Sequence, residues 1–233
     1  MKLSEEMKNK TLLSFELFPP KTEKGLQNLP GTIDHLMKYN PSYISCTYGA
    51  GGGNVGANRE VCQMIKNAGT TPVTHFTVIK NTKEGIKEQL DQYLADGVDH
   101  MLALRGDIPL GETTTCGDFD YATDLVKFVR DTYGDKFEIA VAGSPEGHIS
   151  CRSLESDIAV LKQKQDNGAD YIMTQLCWDM EQFKYWLDAI DKAGVTMPVD
   201  VGIMPILDQA ATINMALSRN GCVMPRELSR LIS

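Results

Sequence analysis

The sequence predicts an α/β fold of the (β/α)8, TIM-type barrel class, carried as one domain over residues 1–233. Three observations predict it. Short β-rich runs alternate with helical patterns at a spacing of roughly 30 residues, which calls for parallel strands joined by helical crossovers. Several runs are continuously apolar, as strands covered on both faces are. Polar residues follow almost every run, and in a barrel the chemistry gathers at the carboxyl ends of many strands. An open doubly wound sheet needs such residues only at its switch point, so of the two architectures the barrel is favoured.

The strands fall at 12–18, 42–48, 72–79, 99–104, 137–142, 170–175 and 198–204, and the helices at 25–39, 55–68, 83–96, 119–133, 151–167, 180–193 and 208–219. The helix over 83–96 carries Ile86, Leu90, Tyr93 and Leu94 on one face. Thr82 can cap its start and Gly97 ends it. Gly168 and Gly194 mark two further helix ends. The strand ends read Glu16, Thr47-Tyr48, Thr77, Arg105-Gly106-Asp107, Gly143-Ser144-Pro145-Glu146, Gln175 and Pro205. No linker or composition break divides the chain.

The formal net charge of −8 argues against nucleic acid and anionic membrane as partners, and serves solubility. No run reaches the roughly 18 apolar residues of a membrane span. The opening MKLSEEMKNK is too polar for a signal peptide. The 6 cysteines, Cys46, Cys62, Cys116, Cys151, Cys177 and Cys222, show neither C-x-x-C nor metal-ligand spacing. No metal site is expected, and free thiols in a reducing cytoplasm are.

GGGNVG places Gly51, Gly53 and Gly56 in a G-x-G-x-x-G after a strand and before a helix. The next strand ends in VIKNTKE with no acid to hold a ribose, and the run lies in the second βα unit. A loop that lets the backbone approach a ligand is the better reading. Arg105-Gly106-Asp107 matches a cell-adhesion tripeptide, but that use needs a secreted protein. A surface ion pair at a strand end is the plain account; a cation for an anionic ligand beside a pocket carboxylate is the functional one. Glu16 lies in LLSFELFPPK among apolar neighbours. Burial there would raise its pKa and suit a general acid, whereas an alternating strand would put it on a solvated face. His75 and His148 taken singly read as structural histidines. Asp157 and Lys164 lie seven apart on one helix face beside Leu154, Ile158 and Leu161, where an intrahelical charge pattern also accounts for them.

Together SFELFPPKT, SCTYGAGGG, PVTHFTV, GVDHMLALRGDIP, SPEGH, GADYIMTQLCWD and VGIMPI resemble the methylenetetrahydrofolate reductase family, flavoproteins built on a (β/α)8 barrel. The resemblance runs through nearly the whole chain in order. It implies that Glu16 is the proton donor and that Asp107 is the carboxylate between flavin and folate. Thr47 and Gln175 match positions contacting nicotinamide or folate. Tyr48, Ala50, His75, Arg105, Gly106, Asp107, Tyr121, His148, Asp157 and Lys164 match positions that hold FAD. It implies hydride transfer from NADH or NADPH, by way of the flavin, to 5,10-methylenetetrahydrofolate, giving 5-methyltetrahydrofolate. The hydride chemistry is the cofactor's; the protein supplies position, an acid, and a charge that favours the cationic iminium of the opened folate ring.

Two features depart from the family pattern. Ser144 stands where members often carry a tyrosine. The chain stops at MPRELSRLIS, before an eighth strand that in the family reads like H-F-Y-T-L-N. A barrel lacking a strand has two open edges, so the expectation is a C-terminally incomplete sequence, or a gap closed by a neighbouring chain. A homo-oligomer or a partner subunit is expected. Two other functions remain open: a folate-binding barrel without redox work, such as a methyltransferase component, and a non-catalytic subunit.

Overall fold

The computed structural model describes residues 2–48, 55–108, 111–217 and 222–232. Seven strands form one sheet whose spatial order is the order of the chain, β1 to β7. Every pairing from β1 to β4, and that of β6 with β7, is parallel. A doubly wound sheet reverses direction at a switch point; this one does not, which is the strand order of a (β/α)8 barrel. Among the described residues no strand follows β7. The chain divides into two compact units, Met1–Ala140 and Val141–Ser233.

The first unit holds α1 (Leu3–Met7), β1 (Ser14–Leu17), α2 (Glu23–Met37), β2 (Tyr43–Cys46), α3 (Val55–Asn67), β3 (Thr71–Thr77), α4 (Lys83–Ala95), β4 (His100–Leu104), α5 (Ala122–Tyr133) and the start of β5 (Glu138–Gly143). Every residue of β2 is buried, and all of β3 except Thr71, which is why these runs read as continuously apolar. Tyr48, Phe76 and Tyr93 pack in series, the first pair tilted and the second edge to face, with ring centroids 5.5 and 6.4 Å apart. Burying such a ring stabilises the fold by about 1.5–3 kcal/mol. The boundaries of α4 follow the sequence reading: Thr82 accepts from the Gly85 amide (3.1 Å), and Gly97 leaves the helix at φ +70°. Gly168 and Gly194 also take positive φ, at +105° and +76°.

No apolar repeat announces α1. It is docked instead by Glu138, which is buried and accepts from the amides of Leu3 and Ser4, both at 2.7 Å. His100 Nε2 lies 2.9 Å from Glu138 and its Nδ1 lies 2.7 Å from Asp99. Burial alone would raise the Glu138 pKa; His100 and the two amides hold it down at about 2. Burial would lower that of His100, but Asp99 and Glu138 raise it to about 9.

The second unit holds the rest of β5, α6 (Leu154–Asp166), β6 (Tyr171–Thr174), α7 (Met180–Lys192), β7 (Val199–Asp200), α8 (Gln209–Leu217) and α9 (Arg226–Ile232). Its core centres on Tyr171, Ile172 and Trp186. Gly143 ends β5 where a Cβ would stand 2.7 Å from Ile172 and 3.0 Å from Trp186. The strand expected at 198–204 is only two residues long. The ladder stops because Gly202 donates to the Thr174 hydroxyl (3.0 Å), and a Cβ there would stand 2.6 Å from the Thr174 carbonyl. Among the described residues no helix is long and apolar enough to cross a membrane, and no cluster of His, Cys, Asp and Glu could hold a metal ion. None of the six cysteines is joined in a disulfide.

Candidate active site

Register places the expected residues of the first unit. Glu16 pairs with Ser45 and Ser45 with Val73. Paired residues share a face, and the face repeats every second residue. Glu16, Ser45, Val73, His75 and Thr77 therefore line one face of the sheet, and on β4 so do Leu102 and Leu104. Thr74 takes the opposite face, toward α3, where it donates to Asn58 (2.8 Å).

Glu16 is not buried as its apolar neighbours suggested. Its side chain is 45% exposed, because β1 ends the strand order and pairs with β2 alone among the described strands. His75 Nε2 lies 3.5 Å from its Oε2. His75 itself is buried, and burial lowers its pKa to about 4, so the ring is neutral near pH 7. Its Nε2 and the Thr77 hydroxyl are buried without a hydrogen-bond partner. Each such atom costs about 1–3 kcal/mol unless a ligand or water engages it. Both sit in the carboxyl half of β3.

Thr47 follows β2, its amide donating to the Leu17 carbonyl (2.9 Å). Tyr48 turns into the core and donates to Gln89 (2.5 Å), and burial raises its pKa to about 12. Only its backbone is available to a ligand. Ala50 and the glycines at 51 and 53 lie outside the described residues. Sequence reasoning missed Asn58. This fully buried amide donates to the carbonyls of Cys46 (2.9 Å) and Thr47 (3.0 Å) and accepts from Thr74 and Tyr93. It fixes the carboxyl end of β2. The only signal in the sequence is a polar residue inside an otherwise apolar helical face.

Arg105 and Asp107 form no ion pair with each other. Arg105 Nε donates to the Gly106 carbonyl (3.2 Å), and Asp107 is exposed. Gly106 has φ +86°, and a Cβ there would stand 2.6 Å from Ile79 and 3.0 Å from Thr77. Only glycine lets this turn press on the end of β3. Tyr121 is 61% exposed at the start of α5, its amide donating to Asp124 (3.0 Å).

In the second unit the structure places His148 and Asp157 at the start of α6 and Lys164 in its last turn. Ser153 caps that helix, accepting from Ser156 N (3.2 Å). Asp157 Oδ2 accepts from the His148 amide (3.1 Å) and its Oδ1 from the Cys151 thiol (3.5 Å). Lys164 reaches back to donate to the Ala142 carbonyl (2.9 Å). Burial lowers the Lys164 pKa, against the attraction of Asp157. Ser144 accepts from Gly147 N (2.9 Å) in the turn after β5. Glu146 accepts from the Val223 amide (2.8 Å), and burial raises its pKa. Gln175 follows β6, its amide bonded to Gly143 (2.8 Å) and its side chain accepting from Leu176 N (2.8 Å).

An α/β protein with this strand order and polar side chains at successive strand ends belongs to the broad class of parallel-barrel folds. The family is narrower. The methylenetetrahydrofolate reductase family model matches residues 2–233, and the chain belongs to that family. It is 37% identical over 219 residues to methylenetetrahydrofolate reductase (NADH) 1 of Arabidopsis thaliana, covering 88% of this chain and 37% of that protein. It is 34% identical over 202 residues to 5,10-methylenetetrahydrofolate reductase of Escherichia coli, covering 86% of this chain and 67% of the other. The chain thus spans little more than a third of the length of the plant relative. In fold it is similar to a Clostridium thermocellum protein described as binding two copies of 5-methyl-5,6,7,8-tetrahydrofolic acid, with a TM-score of 0.69 at 15% identity over 99% of this chain and 78% of that one.

Proposed function

We propose that this chain carries the catalytic part of a flavin-dependent reductase that converts 5,10-methylenetetrahydrofolate to 5-methyltetrahydrofolate. The observation that carries the reading is the pair of buried, unpartnered polar atoms on β3, His75 Nε2 and Thr77 Oγ1, on the sheet face shared with Glu16. They fit a planar polar cofactor. In the first unit His75, Arg105, Gly106, Asp107, Tyr121 and the backbone of Tyr48 would hold FAD, together with Ala50. In the second unit His148, Asp157 and Lys164 would do so. Arg105 in the first unit is a cation of the kind a diphosphate calls for, and within the second unit Lys164 is another. When bound, FAD relays hydride from a reduced nicotinamide nucleotide to the folate. The name of the plant relative favours NADH as the donor; NADPH is the alternative.

The chain's own groups do the rest. Thr47 and Gln175 hold the folate. Glu16 gives a proton to the nitrogen that departs as the folate's five-membered ring opens. Its exposure suits this reading, because a ligand stacked over it, rather than the protein core, would strip its water. Asp107 stabilises the cationic iminium of the opened ring.

The test is direct. The protein is purified, supplied with FAD and reduced anaerobically with NADH or NADPH; 5,10-methylenetetrahydrofolate is then added. Bleaching of the flavin by the nucleotide, its return with folate and the appearance of 5-methyltetrahydrofolate are expected. Folate binding without flavin binding would support a methyltransferase-like component instead. Flavin and folate binding without turnover would support a non-catalytic subunit.

A further inference from the structure

Glu16 and His75 stand two strands apart, yet their side chains meet. Glu16 is in row with Ser45 and Val73, and His75 lies two residues beyond Val73 on the same face. A carboxylate on β1 thus reaches across β2 to a ring on β3, and Oε2 stops 3.5 Å from Nε2. The imidazole is buried while the carboxylate is half exposed. The ring is therefore the fixed member of the pair and the carboxylate the one to be held. We propose that His75 is a positioning residue for Glu16, aiming its carboxyl group across β2 through the buried Nε2. This rests on the reductase reading, and adds to it that Nε2 turns to the acid, so that His75 would meet the cofactor through the rest of its ring.

The chemistry favours this partner over a cation. A lysine or arginine at 3.5 Å would favour the carboxylate and lower the acid's pKa by a unit or more, so Glu16 would reach the reaction already ionised. Burial keeps His75 uncharged instead, lowering its pKa to about 4. A neutral imidazole can hold the carboxyl group in either protonation state, accepting from the acid or donating to its conjugate base. Glu16 also bears on the Cys46 thiol of β2, whose pKa is raised by Cys62 and by burial. That thiol, like the His75 ring, is uncharged near pH 7.

A double-mutant cycle on the folate half-reaction tests the proposal, run at saturating FAD with FAD affinity measured separately for each variant. Glu16→Gln should slow folate reduction by the ~10²–10⁴-fold typical of losing a general acid. His75→Ala should slow it by up to ~10²-fold, the cost of about 1 Å of misplacement. His75→Gln, which keeps a neutral hydrogen-bonding group, should recover most of that loss. In the Glu16→Gln background, His75→Ala should cost less than about 3-fold more, because residues that act as a unit are not additive. Equal His75→Ala losses in both backgrounds would overturn the proposal and leave His75 a cofactor contact only.

A second readout needs neither turnover nor cofactor. In long-range 1H–15N spectra of the FAD-free protein, Glu16→Gln should move the His75 Nε2 resonance more than those of His35, His100 or His148. An unmoved His75 resonance would also overturn it, even if His75→Ala fails to fold. If the parent protein reduces no folate, the reductase reading fails, and the spectra still decide whether His75 holds Glu16.

Discussion

Asp107 shows at the scale of one residue what the structure adds. In the sequence it is half of an Arg-Gly-Asp run that an ion pair would explain. In the structure Arg105 turns to the Gly106 carbonyl and Asp107 stands exposed, so its charge is not spent on its neighbour. If it stabilises a cation on the folate, Asp107→Asn should slow the folate half-reaction by ~10²-fold, the lower end of what losing one electrostatic stabiliser costs. Reduction of flavin by the nucleotide should slow at least ten times less. Stopped-flow absorbance separates the two, and equal slowing would make Asp107 structural. Two glutamates mark the limit of what residue patterns tell. Glu16 in SFELF and Glu138 in KFEIAVA both interrupt apolar runs. Glu138 is 3% exposed, whereas the Glu16 side chain is 45% exposed. The difference lies in which strand has neighbours on both sides and what covers its end, and neither is written in the local pattern.

Among the elements, α1 depends most plainly on a distant partner. Five residues are too few for a helix stable by itself, and Glu138 holds it through the Leu3 and Ser4 amides. Glu138→Gln removes the charge that pairs with His100 and should cost about 3–5 kcal/mol, as breaking a buried ion pair does. Denaturant unfolding would measure it, and hydrogen exchange should quicken first at Leu3 and Ser4. The pH dependence has two limbs. The His100 pKa is raised from 6.5 to about 9, so its contribution is full below about pH 6.5 and is lost as pH rises through 9. The Glu138 pKa is lowered from 4.5 to about 2, so its contribution is full above about pH 4.5 and is lost as pH falls through 2. The latch should be strongest between about pH 4.5 and 6.5, and exchange at Leu3 and Ser4 should be slowest there. A flat exchange profile from pH 4 to 9, after correction for intrinsic rates, would show that the ion pair does not hold the helix. The longer helices were legible because caps, an apolar face and a terminal glycine all sit within the segment. The sequence reading assigned no helix to α1, because its fastening lies over 130 residues away.

At the scale of the whole molecule, the alternation of apolar runs and helical patterns was enough to read the barrel class, and all seven strands fall on the expected stretches, the third and the fifth each overrunning by one residue. The strand ends were legible as a candidate site because polar residues follow the runs. Tyr48 was not, since its turn into the core depends on Gln89 and Phe76, and Asn58 was not, since its five partners come from four separate elements or their ends. The strand order also bears on how the first unit folds. Each ladder from β1 to β4 joins residues about 28 apart in sequence, so every step closes a loop of nearly the same size, and doubling that size would cost only about 0.6 kcal/mol. No single long-range encounter has to come first. Assembly can start at any adjacent pair and spread like a zip, and the β2–β3 pair, nearly all buried, offers the largest early gain. Pulse-labelled hydrogen exchange during refolding should protect β2 and β3 first, then β1 and β4. Protection of β1 and β4 ahead of the strands between them would contradict this order. A chain built in this way meets each partner strand as the next one to be made, so it can begin to fold from its first two strands while the rest is still being synthesised.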